Sequence, residues 1–463
     1  MSTLPAAIRA ALVALPALFV AVFFVWPVAA IIGRGLSVEG IRDVLSDPGL
    51  RSVAWFTLWQ AAVSTVLTLL LGLLPAFVLA RYRFPGRALV LALVTVPFVL
   101  PTVVVGSAFL ALLPASWDQT AAAIIVAHVY FNLAVVVRTV GTLWAQLDPR
   151  TEDAAALALV QLVGVTVLML WWSRFQASQA VRLRLRPRGV ATRPRTIRQR
   201  ALVYATVIAL VTVVLVPLLQ LVLGSFRGAG DGLSLSAWRA LGRGEGSGPA
   251  GRPVAEPWDA VMTSLRFAVI ATLVAVLVGG AAAVAIAASR RSGHLLDAGL
   301  MLPLGTSAVT VGFGLLITMD RPPVELRGSW VRIPIAHAVV AVPFVVRAVL
   351  PTLRSLDPRL RDAAATLGAS PTRVWREIDL PFLRRALVAG AGFAFAISLG
   401  EFGATSFLTR VGDQTMPIAI ARLLGRPSAL NLAQAYALAT VLMALTLVAI
   451  LAVDRLRGEA ASF

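Results

Sequence analysis

The stretch RDAAATLGASPTRVWREIDLPFLRRAL, residues 361–387, carries the most specific spacing in this 463-residue chain. Asp362 is followed by Ala363 and Ala364, Gly368 lies six residues after the acid, and Ile378-x-Leu380-Pro381 closes the phrase. These residue types suit contact rather than covalent chemistry. The acid at 362 is expected to open a helix, where its charge favours the helix dipole. Gly368 is expected to supply a tight turn, and Ser370 with Pro371 to start a second short helix. Val374, Trp375 and Ile378 share one helical face, and Pro381 is expected to end that helix. The block reads as a helix–turn–helix with an apolar knob ringed by charge, a form that docks into a groove on a soluble partner. Its bland alternative is an amphipathic connector lying on a membrane surface.

Residues for catalysis are scarce. The chain has no cysteine and three histidines, His128, His294 and His337, none paired at metal-ligand spacing along one helix. No GxxxxGK[ST] phosphate loop occurs. The sequence therefore predicts no catalytic residue, no metal site and no cofactor bound by this chain. Glu401 is an acid inside an apolar run beside Gly400 and Gly403. It reads as a pore or gate residue, or as the polar partner of a neighbouring helix. His128 and His337 read as histidines packed between helices, and Arg138 and Arg347 as snorkelling side chains near span ends.

The elements that position these residues follow from composition. The chain is 59% hydrophobic and 14% charged, and its apolar runs are long enough to cross a bilayer. The expectation is an all-α polytopic membrane protein. Spans are placed at 11–33, 57–80, 88–114, 120–145 and 155–173, then at 201–224, 260–288, 296–318, 331–353, 387–409 and 432–453. The N-terminal run reads as a retained first span rather than a cleaved signal. The net charge of +19 is read through the positive-inside rule rather than as nucleic-acid affinity. Nine arginines and no acid lie within 174–200, with smaller clusters at Arg81, Arg83 and Arg87 and at Arg290 and Arg291.

The sequence repeats itself. Residues 124–156 align with 333–365 at a constant offset of 209, with 15 of 33 identical. His128 falls on His337, and Asp153-Ala154-Ala155 on Asp362-Ala363-Ala364. Gly72 pairs with Gly279 and Pro97 with Pro303. After Ala156 the register breaks: VTVLM at 165–169 matches ATVLM at 439–443, an offset of 274. The difference, 274 less 209, leaves the first half about 65 residues short, the length of the docking block's end, one span and an external loop. Topology agrees. With the N-terminus inside, a single span at 155–173 would carry the nine-arginine linker outside, against the positive-inside rule; one further span restores it. The domains expected are 1–173, an incomplete unit of about five spans; 174–200, a basic cytoplasmic linker; and 201–458, a six-span unit with its loop at 358–385.

Asp362-Ala363-Ala364, Gly368 and Ile378-x-Leu380-Pro381 resemble the EAA loop of binding-protein-dependent ABC importer permeases, with Asp for the first Glu. The run LGEFGATSFL at 399–408 is similar to segments of these and of sulfate and molybdate permeases. Two permease units in one chain resemble the iron(III)/thiamine-type branch. The resemblance implies two tandem type I units, two copies of an ABC ATP-binding subunit that holds ATP and Mg, and an extracytoplasmic solute-binding protein. It also implies a bacterial inner-membrane location, and a coupling helix that docks through 361–381. In the first half the glycine position is Leu159 and the Leu-Pro positions fall in an apolar run, so that half lacks the loop. The competing reading is an ion-gradient-driven secondary transporter or channel, with Glu401 lining its path.

Overall fold

A computed structural model describes residues 6–146, 192–227, 232–243, 257–288, 292–320, 324–410, 412–426 and 428–458. Its regular elements among these residues are all helical. This is what a bilayer demands of an apolar chain, since each backbone polar group must be satisfied within its own segment. In chain order they are α1 Ala6–Val20, α2 Trp26–Gly35, α3 Val38–Ser46, α4 Pro48–Arg81, α5 Arg87–Val99, α6 Thr102–Leu112 and α7 Ala121–Gln146. After the linker come α8 Ile197–Gly224, α9 Ser236–Arg243, α10 Pro257–Ala288, α11 Ser292–Met301, α12 Ala308–Thr318 and α13 Arg332–Ser355. The last are α14 Pro358–Thr366, α15 Pro371–Val374, α16 Leu380–Gly400, α17 Gly403–Leu408, α18 Met416–Leu424 and α19 Ala429–Gly458. Among the described residues eight helices are long and apolar enough to span a membrane, or up to ten if each of two broken helix pairs counts as a span.

Three expected spans differ from the fold. The run at 88–114 is interrupted at Leu100–Pro101, between α5 and α6. The run at 296–318 bends by 102° between α11, with its 3₁₀ turn Leu302–Gly305, and α12. Thr306 and Ser307 are extended there, after Pro303 has interrupted the helical ladder. The run at 387–409 is helical from further upstream and ends at Gly400. The first two breaks carry no charged residue, so hydropathy alone does not show them, and the third falls at Glu401. The expected span at 155–173, most of the linker, and Asp153, Ala154 and Ala155 lie outside the described residues.

The chain forms two compact units: Met1–Phe56, Val99–Asp118 and Pro217–Phe463 in the first, Thr57–Phe98 and Gln119–Val216 in the second. In the first unit α10, α13 and α16 pack together, and α1 and α2 lie against α10 and α12. The core runs along this trio through Val278, Ala282, Val342, Val345, Val346 and Ala394. A side chain at Gly279 would meet the Cβ of Val345 at 2.8 Å, so glycine sets the closeness of α10 and α13. In the second unit, a side chain at Gly72 would meet Cγ1 of Val136 at 2.7 Å, between α4 and α7. Val136 and Val345 are themselves separated by the repeat offset of 209. Likewise α6 and α12 are each 11 residues long, and Thr102 to Ala308 is a step of 206, the offset of Pro97 and Pro303.

The second unit also holds the linker's end. Thr192 N–H donates to Arg81 O and Arg83 N–H to Thr192 O, both at 3.0 Å. Thr196 then caps α8, its Oγ1 accepting from Gln199 N–H at 3.2 Å. Trp144, near the end of α7, meets Phe77 edge-on with ring centroids 5.9 Å apart. Both described ends that flank residues 147–191 therefore sit at the Arg81 end of α4.

Candidate docking loop and the broken span behind it

The loop after α13 is built by local rules. Asp357 caps α14, its Oδ1 accepting from Arg359 N–H at 2.9 Å, with Pro358 at the first helical position. Asp362 therefore lies in the middle of α14, not in its first turn, because Asp357 has already taken the cap. Ala363 and Ala364 give their carbonyls to the end of the helix: Leu367 N–H bonds to Ala363 O at 3.1 Å and Ala369 N–H to Ala364 O at 3.0 Å. Gly368 N–H bonds to Ala365 O at 3.0 Å and its φ is +80°. This is a Schellman turn, and the left-handed residue it needs is the glycine.

Ser370 starts α15: its carbonyl accepts from Val374 N–H at 3.0 Å and its Oγ from Arg373 N–H at 3.4 Å. The helix does not end at Pro381. A π-turn over Trp375–Asp379 leads into α16, with Leu380 N–H bonded to Trp375 O, and Pro381 is the second residue of α16. Proline lacks an N–H and crowds the carbonyl four residues back, and the widened turn accommodates both. The same device precedes Pro27, after the π-turn Ala21–Val25. The second arm of the loop is thus continuous with a membrane helix.

The expected apolar knob is not the most exposed apolar surface of the loop. Val374, Trp375 and Ile378 are only partly exposed, and Trp375 packs against the core of the first unit. The apolar surface that the loop presents is Leu367, 87% exposed, with Leu360 and, at the base, Leu380. Arg359, Arg373 and Arg376 of the same loop are exposed too. The two arms are clamped by Arg361, whose Nε donates to Asp379 Oδ1 at 2.9 Å with Nη2 at 2.8 Å, the carboxylate being buried.

Glu401 is not inside a helix. It follows α16 in extended conformation, and its carboxylate accepts from Ala404 N–H at 3.0 Å, Thr405 N–H at 3.1 Å and Thr405 Oγ1 at 2.9 Å. The acid therefore satisfies the bare amides that start α17. His337 of α13 lies 3.6 Å away and bonds through Nδ1 to Ser398 Oγ and through Nε2 to Thr405 Oγ1, both at 2.7 Å. Gly400 and Gly403 serve close approach: a side chain on the first would meet Pro101 at 2.9 Å, and on the second Val309 N at 3.1 Å. α12 crosses α17 more tightly still, a Cβ on Gly312 falling 2.5 Å from Ala404 Cα. His128 is joined at Nδ1 to Gln60 Nε2 at 2.5 Å, between α7 and α4.

Residues 276–457 match the model of the family described as binding-protein-dependent transport system inner membrane component. Over 200 residues the chain is 32% identical to a protein named as the permease PhnV of a 2-aminoethylphosphonate transport system in Salmonella paratyphi A, across 43% of this chain and 74% of that one. The chain belongs to this family. It is also 36% identical over 174 residues to the molybdenum transport system permease protein ModB of Escherichia coli K12, across 35% of this chain and 76% of ModB. A third relative is the sulfate transport system permease protein CysT of Salmonella typhimurium, 33% identical over 136 residues, across 29% of this chain and 49% of CysT.

As a permease of a binding-protein-dependent ABC importer, the chain is a non-catalytic membrane component, and its family works with ATP-binding and solute-binding partners. The loop at 358–385 and the break at Glu401 both fall inside the residues that match the family. The structure brings Asp362, Ala363, Ala364 and Gly368 into one capped turn. It separates them from Trp375, which turns inward, and places Glu401, Gly400 and Gly403 together at the break. Sequence reasoning missed Leu367, although an apolar residue just before a turn glycine is a signal, and it missed the Arg361–Asp379 clamp.

Proposed function

We propose that residues 358–385 are the surface through which this permease docks an ATP-binding subunit, with Leu367 as the inserted side chain. The observation that carries this reading is an 87% exposed leucine held rigidly at a Schellman turn whose second arm runs straight into α16. In the proposed mechanism, closure of the ATP-bound partner pulls on this arm, α16 moves as one body, and the path opens to the other side. Glu401 holds the start of α17 while this happens. A loop deletion of 366–381, or Leu367→Asp, is expected to abolish substrate-stimulated ATP hydrolysis in the reconstituted complex. Undiminished hydrolysis would sink the docking reading.

The fused arrangement, two permease units in one chain, is supported by the paired Gly72–Val136 and Gly279–Val345 contacts and by the equal lengths of α6 and α12. The shortened first unit is supported by the two chain ends at Arg81. A chain that leaves and re-enters at one end of a bundle crosses the membrane an even number of times, whereas one apolar run fills the interval. Full docking in this family takes two loops; this chain supplies one, for one of two ATP-binding copies. The arginines at 81, 83, 87, 193, 195, 198 and 200 share that end and support its placement on the cytoplasmic side; a cytoplasmic N-terminus is proposed from the two apolar runs that precede Arg81 in the sequence.

For the cargo, the named relatives favour a small oxyanion: 2-aminoethylphosphonate, molybdate and sulfate carry tetrahedral oxygens. The fused architecture favours the other reading, iron(III) or thiamine. Uptake into proteoliposomes of labelled sulfate, molybdate, 2-aminoethylphosphonate, thiamine and ferric citrate decides between them.

A further inference from the structure

Arg332 opens α13 at the end opposite the docking loop, about 36 Å from it for a helix of this length. Its side chain is buried, 5% exposed. Nη1 donates to Arg327 O at 2.5 Å, and Nε has no partner among the described residues. Gln414 and Thr415 are buried too, at 6% and 2% exposed, and each keeps a side-chain oxygen without a partner. Five buried side-chain atoms among the described residues are in this state, and three of them belong to these two stretches. The stretches are neighbours: Arg410, Asp413 and Asp320 lie within electrostatic reach of Arg332. α10 ties them together. Ser264 Oγ accepts from Met416 N–H at 2.7 Å, and one turn on, Phe267 stacks on Trp330 at 6.0 Å with Arg266 4.1 Å above the same ring.

A buried guanidinium with a bare N–H is costly until an acceptor reaches it. The local charge says which kind. Arg266, Arg327, Arg332 and Arg410 outnumber Asp320, Asp413 and the exposed Glu325, and Arg327 is already paired with Asp320 at 3.5 Å. Thr415 begins α18 without a side-chain cap bond, so its hydroxyl is not spent on the helix. Gln414 can present either end of its amide. We propose that Arg332, Gln414 and Thr415 form a binding site for a small tetrahedral oxyanion at the outer mouth of the path. Its charge-assisted donors receive the cargo as the solute-binding protein releases it. That role rests on the oxyanion reading of the cargo given above.

The chain has no cysteine, so Gln414→Cys in the assembled complex is a single reporter. Its labelling by N-ethylmaleimide, read by the mass of this chain, is followed in sulfate, molybdate or 2-aminoethylphosphonate against chloride at matched ionic strength. The oxyanions are expected to slow labelling. Adding Arg332→Gln is expected to raise the half-protecting sulfate concentration about tenfold or more, with Arg332→Lys between the two. Arg410→Cys, on the exposed neighbour, replaces the reporter if Gln414→Cys does not assemble. Equal labelling in sulfate and chloride, the behaviour of a water-filled site, overturns the proposal, as does protection that survives Arg332→Gln. Protection by sulfate in a complex that imports thiamine or iron sinks the cargo reading and keeps the site. Oxyanion import without protection keeps the cargo reading and sinks the site.

Discussion

Replacing Leu367 by Asp separates docking from folding. The side chain is 87% exposed, and the turn beside it is held by backbone bonds from Leu367, Gly368 and Ala369. The substitution is therefore expected to change the stability of the isolated permease by no more than about 0.5 kcal/mol. In the docked complex the balance differs. A leucine fully buried in a partner's groove contributes roughly 1.5–3 kcal/mol, and a carboxylate in the same place adds a desolvation penalty. Loss of the apolar term alone weakens the dissociation constant by roughly 10- to 150-fold. The assay is binding of the ATP-binding subunit to the permease in nanodiscs, with thermal unfolding of the permease measured in parallel. Leu233→Asp, at an 81% exposed leucine outside the loop, is the control and is expected to bind normally. Unchanged affinity for Leu367→Asp, at an unchanged melting temperature, would refute the argument.

Other substitutions probe the frame. Gly368→Ala places a Cβ in open space, so its cost is the φ of +80°, about 1 kcal/mol. Coupled ATP hydrolysis is expected to fall more than stability does, with Gly368→Asn closer to the original. Asp379→Asn leaves Arg361 without its ion pair, and faster tryptic cleavage at Arg359 or Arg373 is the expected sign that the arms have separated. Gly312→Val drives side-chain atoms into Ala404 and is expected to destabilise the chain by about 2 kcal/mol or more in detergent melting. His337→Ala strips the hydroxyls of Ser398 and Thr405 of a buried partner and is expected to cost about 1–3 kcal/mol in the same measurement.

The parts of this architecture that obey local rules were legible in the sequence. Apolar runs mark the helices, Gly368 marks a tight turn, and Ser370-Pro371 marks a helix start. The inward packing of Trp375 was not legible, because helical spacing shows which residues share a face but not where each one packs. The breaks at Leu100–Pro101 and Thr306–Ser307 were hidden by unbroken hydropathy. Glu401 looked like an intramembrane acid because its hydrogen bonds go to amides freed by a helix end that composition does not reveal. The clamp joins residues 361 and 379 across a turn, and Arg332 lies within electrostatic reach of a loop about 80 residues away; neither relation has a sequence period.

The most direct test of the docking account uses Leu367→Cys in this otherwise cysteine-free chain, treated with a short thiol cross-linker in the complex with its ATP-binding subunit. The account predicts a permease–ATPase product at position 367 and none from Leu233→Cys. Free thiol at 367, with no product in a complex that still hydrolyses ATP on substrate, would contradict it.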